Sequence, residues 1–159
     1  MIEKVRILLA RIISRKAKTA DKADTGSPNA GESLSALETA GKAGVSPLLL
    51  AFVQYFVSER PYLNPDLDIN DVARALHTNR TYVSALVNRN FGLRFRDYLN
   101  SQRVNYSKKV LEEHPEMMLG EVAVMSGFTS DSRFVKIFKE HTGETPRAWQ
   151  ARRNGEKAG

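Results

Sequence analysis

INDVARALHTNRTYVSALVNRNFG, residues 69–92, and LGEVAVMSGFTSDSRFVKIFKEHTG, residues 119–143, are two writings of one pattern. Laying Ile69-x-x-Val72-Ala73 over Leu119-x-x-Val122-Ala123 takes an offset of 50. Laying Val83-x-x-Leu86-Val87, closed by Gly92, over Phe134-x-x-Ile137-Phe138, closed by Gly143, takes 51. The one added residue therefore falls in the turn between paired helices, where insertion is tolerated best. Phe95 and Tyr98 follow the first glycine as Pro146 and Trp149 follow the second, again at 51. Each copy reads as a helix of about eight residues, a tight turn and a helix of about eleven, the layout of a helix-turn-helix. In such units the second helix enters the major groove of DNA. Bundles also contain helix hairpins, so the weight rests on the doubling.

Outward from this repeat the chain continues to read as helix. Ser46-Pro47 is an N-cap followed by proline at the first helical position, and Leu48, Leu49, Phe52, Val53 and Phe56 form one stripe. Arg60-Pro61 ends that helix. Asp68, Asn79 and Ser130 stand where N-caps belong, and Gly92 and Gly143 supply the positive φ that closes a helix. Arg94 to Glu113 reads as one long helix stopped by His114-Pro115. Thr145-Pro146 starts a last short helix carrying Trp149. No stretch alternates with period two. The expected fold is all-α: two helix-turn-helix units joined by a long central helix, a homeodomain-like helical arrangement. Twenty residues of helix span roughly 30 Å, against roughly 34 Å for one turn of B-DNA. A rod of that length would hold two recognition helices in successive major grooves, and the small mismatch would favour a bend.

Composition sets off this part from the rest. The chain has 159 residues, 24 Lys and Arg against 18 Asp and Glu, no cysteine and 42% apolar residues. Without cysteine there is no disulfide, no thiolate zinc site and no cysteine nucleophile. The longest apolar run is Leu48 to Val53, far short of the roughly 20 residues that span a bilayer. The apolar stretch Ile7 to Ala10 is too short for a signal peptide, so a cytoplasmic location is expected. Residues 19–45 are dominated by small residues, Gly, Ser and Ala, with Pro28 and no aromatic, and read as a flexible linker. Residues 1–18 read as a basic amphipathic segment, with Ile2, Val5, Leu9 and Ile12 at helical spacing and six cations against one acid. It could touch a membrane surface or a partner protein, add phosphate contacts, or be no more than a frayed start. Residues 46–153 form the expected folded domain, and 154–159 a disordered tail. That domain and tail together carry sixteen cations against thirteen acids, so bulk basicity does not mark the folded part.

The outward faces of the two second helices are more informative. In the first, the inward stripe leaves Arg80, Thr81, Ser84, Ala85, Asn88 and Arg89 outside, with no acid among them. In the second it leaves Asp131, Ser132, Arg133, Lys136, Lys139 and Glu140. Small and amide side chains beside cations suit close approach to base edges and phosphates. An ordinary solvated face is also rich in Lys and Arg, but usually mixes in more Glu.

The residues from Asp71 to Trp149 resemble the DNA-binding domain of AraC/XylS-type transcription regulators. Gly127-Phe128, Ser132, Phe134, Phe138-Lys139, Gly143, Thr145-Pro146 and the aromatic at 149 follow that family's signature in order and spacing. Gly92, Phe95, Tyr98-Leu99-Asn100 and Arg103 follow its first half. The resemblance covers about residues 60–153. It implies a seven-helix domain that binds promoter DNA, most often an activator that contacts RNA polymerase. Carried over by position, it implies base-edge readers at Thr81, Ser84 and Ala85 in the first recognition helix and at Asp131, Ser132 and Lys136 in the second. It implies phosphate contacts from Arg80, Asn88, Arg89, Arg133 and Lys139. The chain departs from the pattern in places. Ala85 and Lys136 stand where a longer reader such as arginine is common, Arg133 and Val87 replace aromatics, and Ser126 occupies an apolar position. Arg103 is expected to tie the two halves together instead of touching bases.

Enzyme chemistry finds no support. His77, His114 and His141 show no metal-ligand spacing, no phosphate-binding glycine loop or nucleophile elbow is present, and Asp66 and Asp68 read as loop residues. No cofactor, metal or small-molecule site is evident. Phe128, Phe134, Phe138 and Trp149 could resemble a stacking platform for single strands, but fall on the inward stripe and read as core. Two functions stay open: a sequence-specific duplex-DNA-binding regulator, and a helical interaction module or adaptor without DNA binding.

Overall fold

A computed structural model describes residues 46–158. The expected basic segment 1–18 and linker 19–45 lie outside the described residues. These contain seven α-helices, one 3-10 turn and no strand. They divide into two compact units, residues 46–60 with 69–92 and residues 61–68 with 93–158.

The first unit holds α1 (Pro47–Ser58), α2 (Ile69–Ala75) and α3 (Arg80–Phe91). Ser46 caps α1, its hydroxyl accepting from the Leu49 amide at 3.1 Å. Leu49, Phe52, Val53 and Phe56 are buried, at the spacing that places them on one face. Phe52 stacks on Phe56 with centroids 4.5 Å apart and meets Phe91 at 6.1 Å. Val72 and Ala73 of α2 and Val83, Leu86 and Val87 of α3 complete the core. Asn79 caps α3 by accepting from the Tyr82 amide at 3.1 Å, and Gly92 closes it at φ 68°.

The second unit begins with a 3-10 turn, Pro61–Leu63, and continues with α4 (Phe95–Glu113), α5 (Leu119–Met125), α6 (Asp131–Thr142) and α7 (Pro146–Ala158). The long helix belongs to this unit. It starts one residue later than expected, with Arg94 at its N-cap and no side-chain cap bond. Its core is an aromatic chain: Phe128 meets Phe134 at 5.2 Å, Phe134 meets Phe138 at 5.6 Å, and Phe138 meets Trp149 at 6.0 Å. Val104, Val110, Leu111, Val122, Ala123 and Ile137 fill the space around it. These rings are sealed in the core, and burial of each is worth about 1.5–3 kcal/mol. Ser130 caps α6, Gly143 closes it at φ 85°, and the Thr145 hydroxyl accepts from the Ala148 amide at 3.3 Å to start α7.

The end of the chain differs from expectation. Residues through Ala158 continue α7, where the sequence reads as a short helix followed by a disordered tail. No proline stops the helix, and Gly155 alone costs only about 1 kcal/mol. Just before this extension two bridges anchor α7: Arg152 to Glu144 at 2.7 Å and Arg153 to Glu112 at 2.8 Å, with Arg153 also 5.8 Å from the Trp149 ring centre. Among the described residues no helix is long and apolar enough to cross a membrane, and no group of three or more His, Asp or Glu side chains could hold a metal ion.

Candidate nucleic-acid interface

The inward stripes of α3 and α6 decide what the helices present outward. With Val83, Leu86 and Val87 inside, α3 exposes Arg80, Thr81, Ser84, Ala85, Asn88 and Arg89. With Phe134, Ile137 and Phe138 inside, α6 exposes Asp131, Ser132, Arg133, Lys136, Lys139 and Glu140. All eleven residues expected to read bases or hold phosphates are exposed. They group as five or six on each recognition helix.

Both helices have twelve residues, and they correspond at an offset of 51. Thr81 thus matches Ser132, Ala85 matches Lys136 and Asn88 matches Lys139. At the first helical position the charges oppose: Arg80 in one, Asp131 in the other. Arg80, Arg89, Arg133, Lys136 and Lys139 enter no ion pair with the described residues. Their charges are therefore available to an external anion. Asp131 is differently placed. A Cβ built on Gly120 would stand 3.0 Å from its carboxylate, so this acid lies against the start of α5. A negative charge at the first turn of α6 also complements the helix dipole, which gives Asp131 a structural role beside the expected reading one.

Arg103 is 5% exposed. Its Nε donates to the Tyr62 carbonyl at 2.8 Å, and its Nη2 to the carbonyls of Asn64 at 2.7 Å and Pro65 at 3.3 Å. The guanidinium carbon lies 5.9 Å from the Phe128 ring centre. It is a structural residue, as expected, but its partners are the 62–65 carbonyls within its own unit. Gly127 is held to the same segment. A Cβ there would meet the Tyr62 carbonyl oxygen at 2.5 Å.

Beside the first turn of α6 lies a cavity of about 240 Å3, with Asp66, Arg96, Asn100, Arg103, Thr129 and Arg133 in its wall. Sequence reasoning placed Arg133 among the phosphate contacts but missed Arg96, Asn100 and Thr129 as neighbours. Arg96 and Asn100 lie one turn apart on α4 and Thr129 in the turn before α6, and no spacing rule connects these two segments. Burial, and next the nearby Arg133, push the Arg103 guanidinium below the ordinary arginine range.

A helix-turn-helix domain family model matches residues 72–152. The melibiose operon regulatory protein of Escherichia coli K12 is 30% identical over 84 residues, which are 53% of this chain and 28% of that protein. The chain thus spans under a third of the length of that curated relative. The C-terminal domain of the two-component response regulator YesN from Fusobacterium nucleatum superposes with a TM-score of 0.53 at 26% identity, covering 59% of this chain and 90% of that one. The DNA-binding domain of the global transcriptional factor AdpA, solved in complex with a target DNA, superposes with a TM-score of 0.61 at 22% identity. That match covers 72% of this chain and 98% of that one, and it shows a shared fold.

Proposed function

The chain belongs to the AraC-type helix-turn-helix family, and on that premise we propose that it is a transcription regulator binding duplex DNA at a specific sequence. The observation that carries this reading is the pair of exposed second-helix faces, each with cations that pair with nothing among the described residues. The protein acts in the cytoplasm, with α3 and α6 as its recognition helices. Thr81, Ser84 and Ala85, together with Ser132, Lys136 and Asp131, face base edges. Arg80, Asn88, Arg89, Arg133 and Lys139 hold backbone phosphates. Ala85 offers only a methyl group, which suits the methyl of thymine. Lys136, at the equivalent place in α6, suits guanine acceptors, so α6 carries the sharper discrimination. The family resemblance supports RNA polymerase as a partner and activation as the outcome.

Selection from random duplexes tests this. The expected result is an asymmetric site of about 15–20 bp whose two segments lie one helical turn apart. Lys136→Ala should relax the preference in one segment, at a cost of about 1–3 kcal/mol for the preferred base. Arg80→Ala should weaken all sequences alike and lower the salt slope by about one. Selection that enriches nothing, or binding indifferent to both substitutions, defeats the proposal.

A further inference from the structure

The cavity beside the first turn of α6 holds more donors than the fold consumes. Asn100 is 8% exposed, yet its carboxamide has no hydrogen-bond partner among the described residues. Arg103 spends Nε and Nη2 on carbonyls, while its Nη1 has no acceptor there. Ser126 Oγ is the only sealed, unpaired side-chain polar atom among the described residues. The free ends of Asn100 and Arg103 are therefore not closed off, and both residues line the cavity. Arg96 and Arg133 line it too, both exposed, against a single acid, Asp66. Three guanidiniums and one carboxylate leave a surplus of two positive charges. No carboxylate pairs with any of the three arginines among the described residues.

Planar guanidiniums and a carboxamide lining one space suit a tetrahedral oxyanion, whose oxygens take paired N–H donors. Location narrows the source. Arg133 is the third residue of α6, and a recognition helix meets the groove with its N-terminal residues, beside the backbone that borders it. The geometry points to an oxyanion seat formed by Arg96, Asn100, Arg133 and Nη1 of Arg103 that takes one backbone phosphate of the bound duplex. This rests on the DNA-binding reading above. A free phosphate shares the chemistry and is the other source to be told apart.

The test uses the full chain and the selected duplex, synthesised with one neutral methylphosphonate at a time across the segment read by α6. For the wild type, one position should weaken binding about tenfold, the scale of a lost charge-assisted bond. In Arg96→Ala, an exposed site whose loss leaves the core intact, binding to the unmodified duplex should fall about tenfold, with the salt slope lower by about one. The same methylphosphonate should then cost less than about twofold further, because the two losses share one contact. Asn100→Ala, checked for folding by circular dichroism, should couple to that same phosphate. A merely structural Asn100 would weaken every duplex alike.

In a second arm, inorganic phosphate is titrated without DNA. A rise in Tm that Arg96→Ala abolishes, with no methylphosphonate coupling, keeps the seat and assigns it to a free anion. If the wild type binds its selected duplex, no phosphate couples to Arg96 or Asn100, and inorganic phosphate leaves Tm unmoved, the seat is overturned while the DNA-binding function stands. If selection enriches no site, the function fails on its own, and the phosphate arm alone decides the seat.

Discussion

In the turn of the first helix-turn-helix the residue with positive φ is His77, at 50°; in the second it is Gly127, at 79°. The backbone bonds around them correspond one by one. The Leu76 amide donates to Val72 at 3.0 Å as Ser126 does to Val122, and His77 donates to Arg74 at 3.1 Å as Gly127 does to Val124 at 3.0 Å. The Thr78 and Phe128 amides both reach an alanine carbonyl at 2.9 Å, Ala73 and Ala123. The offset is 50 through this last pair and 51 at the caps, Asn79 and Ser130, so Thr129 is the inserted residue. One turn geometry is thus reached with two different residues. Positive φ is required in both copies, but glycine only in the second. His77 is exposed, whereas Gly127 is buried against the carbonyls of Tyr62 and Leu63.

The sharpest way to break this comparison is to add one carbon to the second turn. In Gly127→Ala the new Cβ would stand 2.5 Å from the Tyr62 carbonyl oxygen and 3.0 Å from the Leu63 carbonyl group. Both obstacles are backbone, and Arg103 holds the Tyr62 carbonyl in place. Overlap and the left-handed φ together should cost about 3 kcal/mol or more, read as a lower denaturant midpoint with an unchanged slope. His77→Ala in the first turn should cost less than about 0.5 kcal/mol, since an exposed L-residue already holds that φ. A Gly127→Ala loss below about 1 kcal/mol would mean that the 62–65 segment does not pack on the second turn.

One step back in each turn stand Leu76 and Ser126. Ser126 is 0% exposed, and its hydroxyl has no partner among the described residues. An unmet buried hydroxyl costs about 1–3 kcal/mol. Ser126→Ala removes the oxygen and leaves only a small void, so stability should rise by about 1 kcal/mol. For a domain of this size that is a Tm gain of about 4–8 °C. Unchanged or lower stability would show that the hydroxyl finds an acceptor in solution.

What the sequence foretold and what it hid divide along the same line. The stripes of α1, α3 and α6, the caps Ser46, Asn79, Ser130 and Thr145, and the glycines at 92 and 143 are local facts. Each depends on helical periodicity or on one residue's φ, so each is legible from neighbours in the chain. The exposure of the eleven candidate positions follows from the stripes, because a residue on the face opposite a buried stripe is exposed. Arg103 was legible as structural, but its partners at 62–65 lie about forty residues away and needed the fold. The donor-rich cavity draws on α4, α6 and two loops; Asn100 stands in the family signature, but neither it nor Arg96 has a sequence feature that points to a shared cavity. The α7 extension was hidden for a different reason: residues 154–158 are mostly polar with a glycine at 155, and such a composition reads as a tail.

The smallest effect sharpens the comparison from the other side. If φ alone sets the first turn, His77→Gly should relieve the left-handed conformation, which costs an L-residue roughly 1–2 kcal/mol. Glycine gives back about 0.5–1 kcal/mol through the larger freedom of the unfolded chain. The net expectation is a gain of about 0.5 kcal/mol, close to the limit of a paired chemical-denaturation measurement. DNA affinity should stay unchanged, because His77 lies before the Asn79 cap and outside the reading face of α3. A loss of stability would mean that the His77 ring makes a contact that matters, and the first turn would then depend on its side chain as the second depends on having none.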